Sequence, residues 1–229
     1  MIVAIDGPAG AGKSSVAQEV ASRLGLQYID TGAIYRAVAW FADDAGVSFD
    51  DGPAVAALAD ALTIRFTMRG GVNTIVAHLA EGPTHDLTDA IRTPHMSRGS
   101  SRVSAHPEVR DALLELQRRL GRATDSLLEG RDIGTVVFPA AEVKVYLTAS
   151  PDVRAARRRD QMLERGGAAP PLEEIAAEIR ERDHRDSSRP VAPLRPAPDA
   201  TVIDTSTLSF EEAVEAIVAL ARRGAPAAP

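Results

Sequence analysis

Cysteine is absent from the 229 residues. That excludes disulfides, thiolate metal sites and a cysteine nucleophile. Aromatic residues make up only 4% of the chain, which leaves little surface for stacking bases, and the net charge of −6 does not suit a polyanion coat. No apolar run approaches the roughly 18 residues of a membrane span. Neither nucleic acid nor membrane is therefore an expected partner. The first strand candidate begins at Ile2, leaving no room for a leader, and a cytoplasmic location is the expectation. The histidines His78, His85, His95, His106 and His184 show no metal-ligand spacing. Lysine is nearly missing, since Lys13 and Lys144 are the only two among 26 basic residues. The arginines that take its place crowd into residues 154–165 and 180–195. A guanidinium holds phosphate in a bidentate fork, which an ammonium point charge cannot do.

Against this background one stretch stands out, Gly7-Pro-Ala-Gly-Ala-Gly-Lys-Ser14, with the spacing G-x-x-x-x-G-K-S. It follows the apolar run Ile2–Ile5 and precedes a segment with Val16, Val20 and Leu24 on one helical stripe. Strand, glycine-rich turn and helix form a phosphate-binding P-loop. Gly7, Pro8, Ala9, Gly10, Ala11, Gly12, Lys13, Ser14 and Ser15 are its candidate nucleotide-holding residues. Backbone N–H groups and the positive end of the helix face the anion, Lys13 reaches the outer phosphates, and the Ser14 hydroxyl is the candidate ligand for Mg²⁺.

Further along, Gly25 stops the first helix and Leu26–Ile29 reads as a second strand. Asp30 or Thr31 caps a helix with Ile34, Val38 and Phe41 inward. Residues 63–67 and 73–79 alternate apolar and polar side chains around Gly70-Gly71, a hairpin pattern. Helical periodicity covers residues 88–103 and 107–120, and buried-strand patterns cover 126–128 and 143–147. Two more helices are expected at 151–164 and 172–186, separated by the break at Gly166–Pro171. A Pro-rich connection over 190–198 then leads to a last strand at 201–203 and a helix capped by Ser209, with Val214, Ile217, Val218 and Leu220 on its apolar face. Five parallel-strand candidates alternating with helices predict an α/β fold: a five-stranded parallel sheet flanked by helices, with an inserted antiparallel β subdomain and a helical lid. The expected organisation is one domain with core 1–30, 121–153 and 190–222, an acceptor-binding region over 31–120, a lid over about 154–189, and a disordered Ala/Pro tail at 223–229.

Three further groups carry chemistry. Asp30-Thr-Gly-Ala-Ile-Tyr-Arg36 leaves the second strand at the edge that carries ligands in an open sheet, so Thr31 and Arg36 can face an anionic second substrate, with Tyr35 beside them. Glu129-Gly-Arg-Asp-Ile-Gly134 leaves a buried strand and projects Arg131 and Asp132 between glycines. Arg182, Arg185, Asp186 and Arg189 recur at i, i+3, i+4 and i+7, while Arg154, Arg157 and Arg158 share a face of the preceding helix. An arginine-bearing lid spreads charge over transferring phosphoryl oxygens and excludes water. Arginine dominance favours a phosphate acceptor, which is mostly ionised near pH 7 and needs no general base; Asp132 or Asp186 would serve a hydroxyl acceptor instead. A P-loop kinase for another small metabolite and a nucleotide-dependent binding module remain the alternatives, the latter without an Asn-Lys-x-Asp guanine motif.

Taken together, Ile5–Ser14, Asp30–Arg36, Glu129–Pro139 and Glu181–Arg189 resemble bacterial cytidylate kinases, from Met1 to about Leu220. The resemblance implies a P-loop kinase fold and transfer of the ATP γ-phosphoryl group to CMP or dCMP, with Mg²⁺ as cofactor and a monomeric enzyme. It implies that Gly7 to Ser15 hold ATP, that Lys13, Arg131, Arg182 and Arg189 act in catalysis, and that Arg157 or Arg158 belongs to the ATP-facing lid. It further implies that Arg36 and Arg131 grip the CMP phosphate, that Ser101, Arg110 and Asp132 read the cytosine, that Arg182 and Asp186 meet the sugar, and that Arg189 meets the phosphate region. Thr31 and Glu129 stand where Ser and Asp are also common in that family, and each keeps its hydroxyl or carboxylate.

Overall fold

The computed structural model of the chain describes residues 1–69, 72–164 and 168–224. Two compact units divide it: residues 1–27 with 124 onward, and residues 28–123. The expected hairpin turn at Gly70-Gly71, part of the expected break at Gly166-Gly167, and most of the Ala/Pro tail lie outside the described residues.

A five-stranded sheet is built from β1 (Ile2–Asp6), β2 (Gln27–Asp30), β6 (Ser126–Gly130), β7 (Val143–Thr148) and β8 (Thr201–Asp204) in the order β2-β6-β1-β7-β8. β1 pairs parallel with both β6 and β7, and β7 pairs parallel with β8. Val3, Ala4, Ile5, Leu127, Leu128 and Leu147 lose all contact with water. Continuous apolar runs in the central strands are what burial on both faces requires. Helices α1 (Lys13–Leu24), α6 (Pro151–Glu164), α7 (Leu172–Ser188) and α8 (Phe210–Gly224) belong to the first unit with β1, β6, β7 and β8, whereas residues 28–30 of β2 count with the second. Gly25, with a left-handed φ of 66°, caps α1 as the sequence predicts. At the start of α8, Ser209 Oγ accepts the Glu212 N–H at 3.3 Å and Glu212 Oε2 accepts the Ser209 N–H at 2.8 Å, a reciprocal capping box. The apolar face of α8 is Ala213, Val214, Ile217, Val218 and Ala221, while Leu220 is only half-buried. Helices α6 and α7 share a small core of Ala155, Ile175, Ala176 and Ile179, with Met162 against it.

Because the strands are parallel and in register, their carboxyl ends line up. Asp6 lies opposite Gly130 on one side and Tyr146 on the other, and Thr148 lies opposite Asp204. The loops that leave these ends are 7–12, 131 onward, 149–150 and 205 onward. In an open parallel sheet the ligand crevice forms along that edge, where the order reverses beside the central strand.

The second unit contains α2 (Thr31–Asp44), α3 (Gly52–Asp60), the antiparallel strands β3 (Leu62–Arg69) and β4 (Val72–Leu79), the short β5 (His85–Asp86), α4 (Pro94–Val103) and α5 (Pro107–Arg122). The hairpin is present as expected. Two helical expectations change. Helix α3, with Asp51 accepting the Ala54 N–H at 3.1 Å and Pro53 in its first turn, falls where no element was predicted. Its run Ala54-Val-Ala-Ala-Leu-Ala59 carries too few polar residues to show a 3.6-residue period. The helix expected over 88–103 begins only at Pro94, after a single 3₁₀ turn at Ala90–Arg92, because Thr93 caps it by accepting the Met96 N–H at 3.1 Å.

Candidate active site

The P-loop follows β1 directly. Gly7 has φ of 149°, and a Cβ there would stand 1.9 Å from the Leu147 carbonyl oxygen, so no other residue fits between β1 and β7. Gly12 adopts φ of 84° at the N-cap of α1, and no side chain occupies that cap. The first N–H groups of α1 are thus left for an anion. Ser14 and Ser15 are exposed in the first turn. The Ser14 hydroxyl offers a hard oxygen of the kind Mg²⁺ accepts when substrate phosphates supply the rest of its shell.

Lys13 is buried, and its Nζ donates to the Pro8 carbonyl at 2.7 Å. Burial first, then the nearby charge of Arg131 and to a lesser degree Arg182, pull its pKa down to about 7; Glu129 and Asp6 only partly oppose this. Such crowding of cations around one loop is costly in an unliganded protein and is relieved by an anion.

Arg131 leaves the end of β6 and donates through Nε to Asp186 Oδ2 at 3.0 Å, and Arg182 approaches the same oxygen at 3.9 Å. Burial pushes the Asp186 carboxyl up, but Arg131, Arg182 and Arg189 together outweigh it and hold the group below the usual carboxylate range. Asp186 therefore stays ionised and gathers three arginines that the sequence separates by up to 58 positions. Arg189 is not on the helical face its spacing suggested. Helix α7 ends at Ser188, Arg189 is its extended C-cap, and its Nε donates to the Ala192 carbonyl at 2.6 Å. Arg185 turns outward to Glu181 at 2.6 Å. Asp132 is buried at the head of a short π-turn, Ile133–Val137.

The arginines of α6 separate in a similar way. Arg154 is buried, donates to the Ala149 and Ala9 carbonyls at 2.9 and 3.1 Å, and pairs with Asp183 at 2.7 Å. It thereby joins the P-loop to α7. Arg157 clasps Thr205 just beyond β8, donating to its Oγ1 at 2.9 Å and its carbonyl at 2.7 Å. Arg158 donates to Gln161 at 2.8 Å on the exposed side. In the first unit the fold thus brings Lys13, Arg131, Arg182, Asp186 and Arg189 into one electrostatic group, and Arg157 reaches the β8 edge. Asp6 and Thr205 were not singled out from sequence, whereas Arg154 was read there as one of three arginines sharing a face of α6. Of the first two, only Asp6 left a signal there, as the polar residue ending an apolar strand immediately before the glycine-rich turn.

In the second unit Asp30 makes two contacts. Its Oδ1 accepts the Ala33 N–H at 3.0 Å, so Asp30 rather than Thr31 caps α2, and its Oδ2 accepts Arg36 Nη2 at 2.6 Å. Thr31 is buried in the first turn, next to this pair. Arg36 Nε, shut off from water, has no hydrogen-bond partner among the described residues. The Arg110 guanidinium lies 5.4 Å from the centre of the Tyr35 ring and donates to the Ser104 carbonyl at 3.3 Å, tying α5 to α2 and to the end of α4. Ser101 is buried in α4, and its carbonyl accepts the Ser104 hydroxyl at 3.3 Å.

Residues 3–223 match the family model described as cytidylate kinase. The chain is 48% identical over 222 residues to a bifunctional pantoate ligase/cytidylate kinase of Synechococcus sp. (strain JA-2-3B'a(2-13)), an alignment covering 97% of this chain and 40% of that protein. The chain thus spans about two fifths of the length of the bifunctional relatives it resembles. It is also 48% identical over 224 residues to a cytidylate kinase of Solibacter usitatus (strain Ellin6076), covering 97% of this chain and 92% of that one. An uncharacterized protein from Eubacterium ventriosum ATCC 27560 has a similar crystal structure, with a TM-score of 0.52 at 10% identity and 96% of each chain covered, a likeness of fold alone. The chain belongs to the cytidylate kinase family.

Proposed function

We propose that the chain transfers the γ-phosphoryl group of ATP to CMP or dCMP, giving CDP or dCDP and ADP. The observation that carries this reading is the crowding of Arg131 and Arg182 on the buried Lys13, which prepares the P-loop for more negative charge than the protein supplies. In the first unit, residues Gly7 to Ser15 hold the ATP phosphates, Lys13 takes the outer ones, and Arg157 or Arg158 faces the nucleotide from α6. Arg131, Arg182 and Arg189 stabilise charge on the transferring group, with Asp132 and Asp186 recognising the acceptor nucleoside. In the second unit, Arg36 with Thr31 holds the acceptor phosphate, and Tyr35, Ser101 and Arg110 recognise its base. Ser14 is the protein's ligand for Mg²⁺, which supplies charge neutralisation on the phosphates when bound.

Chemically this machinery suits a phosphate acceptor. A monophosphate has its second pKa near about 6 and arrives ionised, so positioning and cationic stabilisation suffice without a general base. A monomer in the cytoplasm completes the reading, checked by light scattering in solution and by fractionation. Steady-state rates with CMP, dCMP, UMP, AMP and shikimate test the substrate directly. CMP and dCMP should be preferred, and CMP turned over no faster than AMP would overturn the assignment.

A further inference from the structure

The residue that ends β1 has no part in the roles above, yet it touches the segment that carries two of them. Asp6 is buried at the seam between β1 and β6, opposite Gly130. Both of its carboxylate oxygens are occupied: Oδ1 accepts the Ile133 N–H at 2.8 Å and Oδ2 accepts the Gly134 N–H at 2.7 Å. These are the first two residues of the π-turn, which begins immediately after Arg131 and Asp132. The turn has no side-chain cap of its own at Asp132. Residue 134 is also closely approached, since a Cβ there would stand 3.2 Å from Lys144 Cδ and 3.4 Å from Asp6 Oδ2. On its other side Asp6 is bonded directly to Gly7, which lies so close to the Leu147 carbonyl that no Cβ fits there. One rigid carboxylate therefore fixes the loop of β6 to the root of the P-loop.

From this geometry we infer that Asp6 is a positioning residue, which sets the orientation of Arg131 and Asp132 toward the acceptor by holding the N–H groups of Ile133 and Gly134. A carboxylate suits this task because it alone among side chains presents two acceptors and no donor. An amide in its place keeps one acceptor and turns an N–H₂ toward the second backbone N–H, leaving a buried donor unsatisfied. Burial pushes the Asp6 carboxyl up to about 6, with the two backbone N–H groups opposing, so the group is mostly ionised at neutral pH and both oxygens accept.

The inference rests on the kinase reading only for its catalytic consequence, so two measurements separate the two. The first needs no substrate: amide hydrogen exchange at Ile133 and Gly134 in wild type and Asp6→Asn. Loss of protection on the order of tenfold or more at one or both amides is expected, with the strands otherwise unchanged. Unchanged protection at both would overturn the inference whatever the enzyme acts on. The second is kinetic. Asp6→Asn should raise the KM for CMP or lower kcat/KM by about tenfold or more while leaving the affinity for an ATP analogue within about twofold. That loss should largely vanish when Asp6→Asn is combined with Arg131→Ala, because the two act through one segment. Losses that fall equally on CMP and ATP, or that multiply independently with Arg131→Ala, would overturn the role, whereas a wild type inactive on CMP would overturn only the substrate assignment.

Discussion

At the scale of single residues, Lys13 has two properties in tension. It must be cationic to meet phosphate, yet burial and its arginine neighbours lower its pKa to about 7, so part of the unliganded population carries it neutral near that pH. Bound phosphates favour the ammonium and raise its pKa. Nucleotide binding between pH 7 and 8 should therefore take up a fraction of a proton, and affinity should weaken as pH rises above 7. Calorimetry in two buffers of different ionisation heat measures this, and no uptake at pH 7.5 would contradict the shift. Lys13→Ala should lower turnover by about 10²–10³-fold, the usual cost of removing one stabiliser of transition-state charge, as read by single-turnover rates. Lys13 was legible in the sequence because its motif is local. Asp186 as the hub for Arg131, Arg182 and Arg189 was legible only in part. The periodicity of α7 placed Arg182 and Asp186 together, but the strand end carrying Arg131 lies 55 residues away and Arg189 falls beyond the helix. No spacing rule connects such positions.

Among the elements, α2 shows how a cap doubles as part of a site. Asp30 both terminates the helix and holds Arg36. Asp30→Ala should lower stability by about 1–2 kcal/mol, the usual cost of a lost N-cap. Asp30→Asn should recover the capping share, since Asn caps as well as Asp, without restoring the charge that holds Arg36. Urea denaturation separates the two variants, and equal stability losses would argue against capping as the dominant contribution. Elements with clear periodicity, such as α1, α5 and α6, were read within a residue or two from sequence. Helix α3 was missed because its alanine-rich run buries little and alternates little, although Asp51 and Pro53 mark its start. The onset of α4 was misjudged for a related reason: apolar spacing continued through Leu87 and Ile91, while Thr93-Pro94 fixed the true boundary. Capping chemistry was the better guide in both cases.

For the whole molecule, all five strands and the loops at their carboxyl ends followed from alternation of apolar runs and helices, because parallel strands buried on both faces leave a strong compositional trace. Their lateral order did not, since it depends on crossovers that sequence patterns do not encode. A ligand that binds only the folded chain must stabilise it. A donor nucleotide at a hundredfold excess over its Kd should add about 2.7 kcal/mol and raise Tm by roughly 5–10 °C in thermal unfolding, and Lys13→Ala should shrink that shift.

The scarcity of lysine has a further use. Besides the α-amino group at Met1, which pairs with Asp125, the chain carries two primary amines. Lys144 is enclosed, its Nζ held between the Pro139 carbonyl and the Asp199 carboxylate. Lys13 is likewise buried, its Nζ on the Pro8 carbonyl, but burial and its arginine neighbours lower its pKa to about 7. An acylating reagent should therefore reach Lys13 only as the chain opens around it, and bound nucleotide, which favours the ammonium, should slow the mark. The rate at which that mass increment appears would then report occupancy of the site.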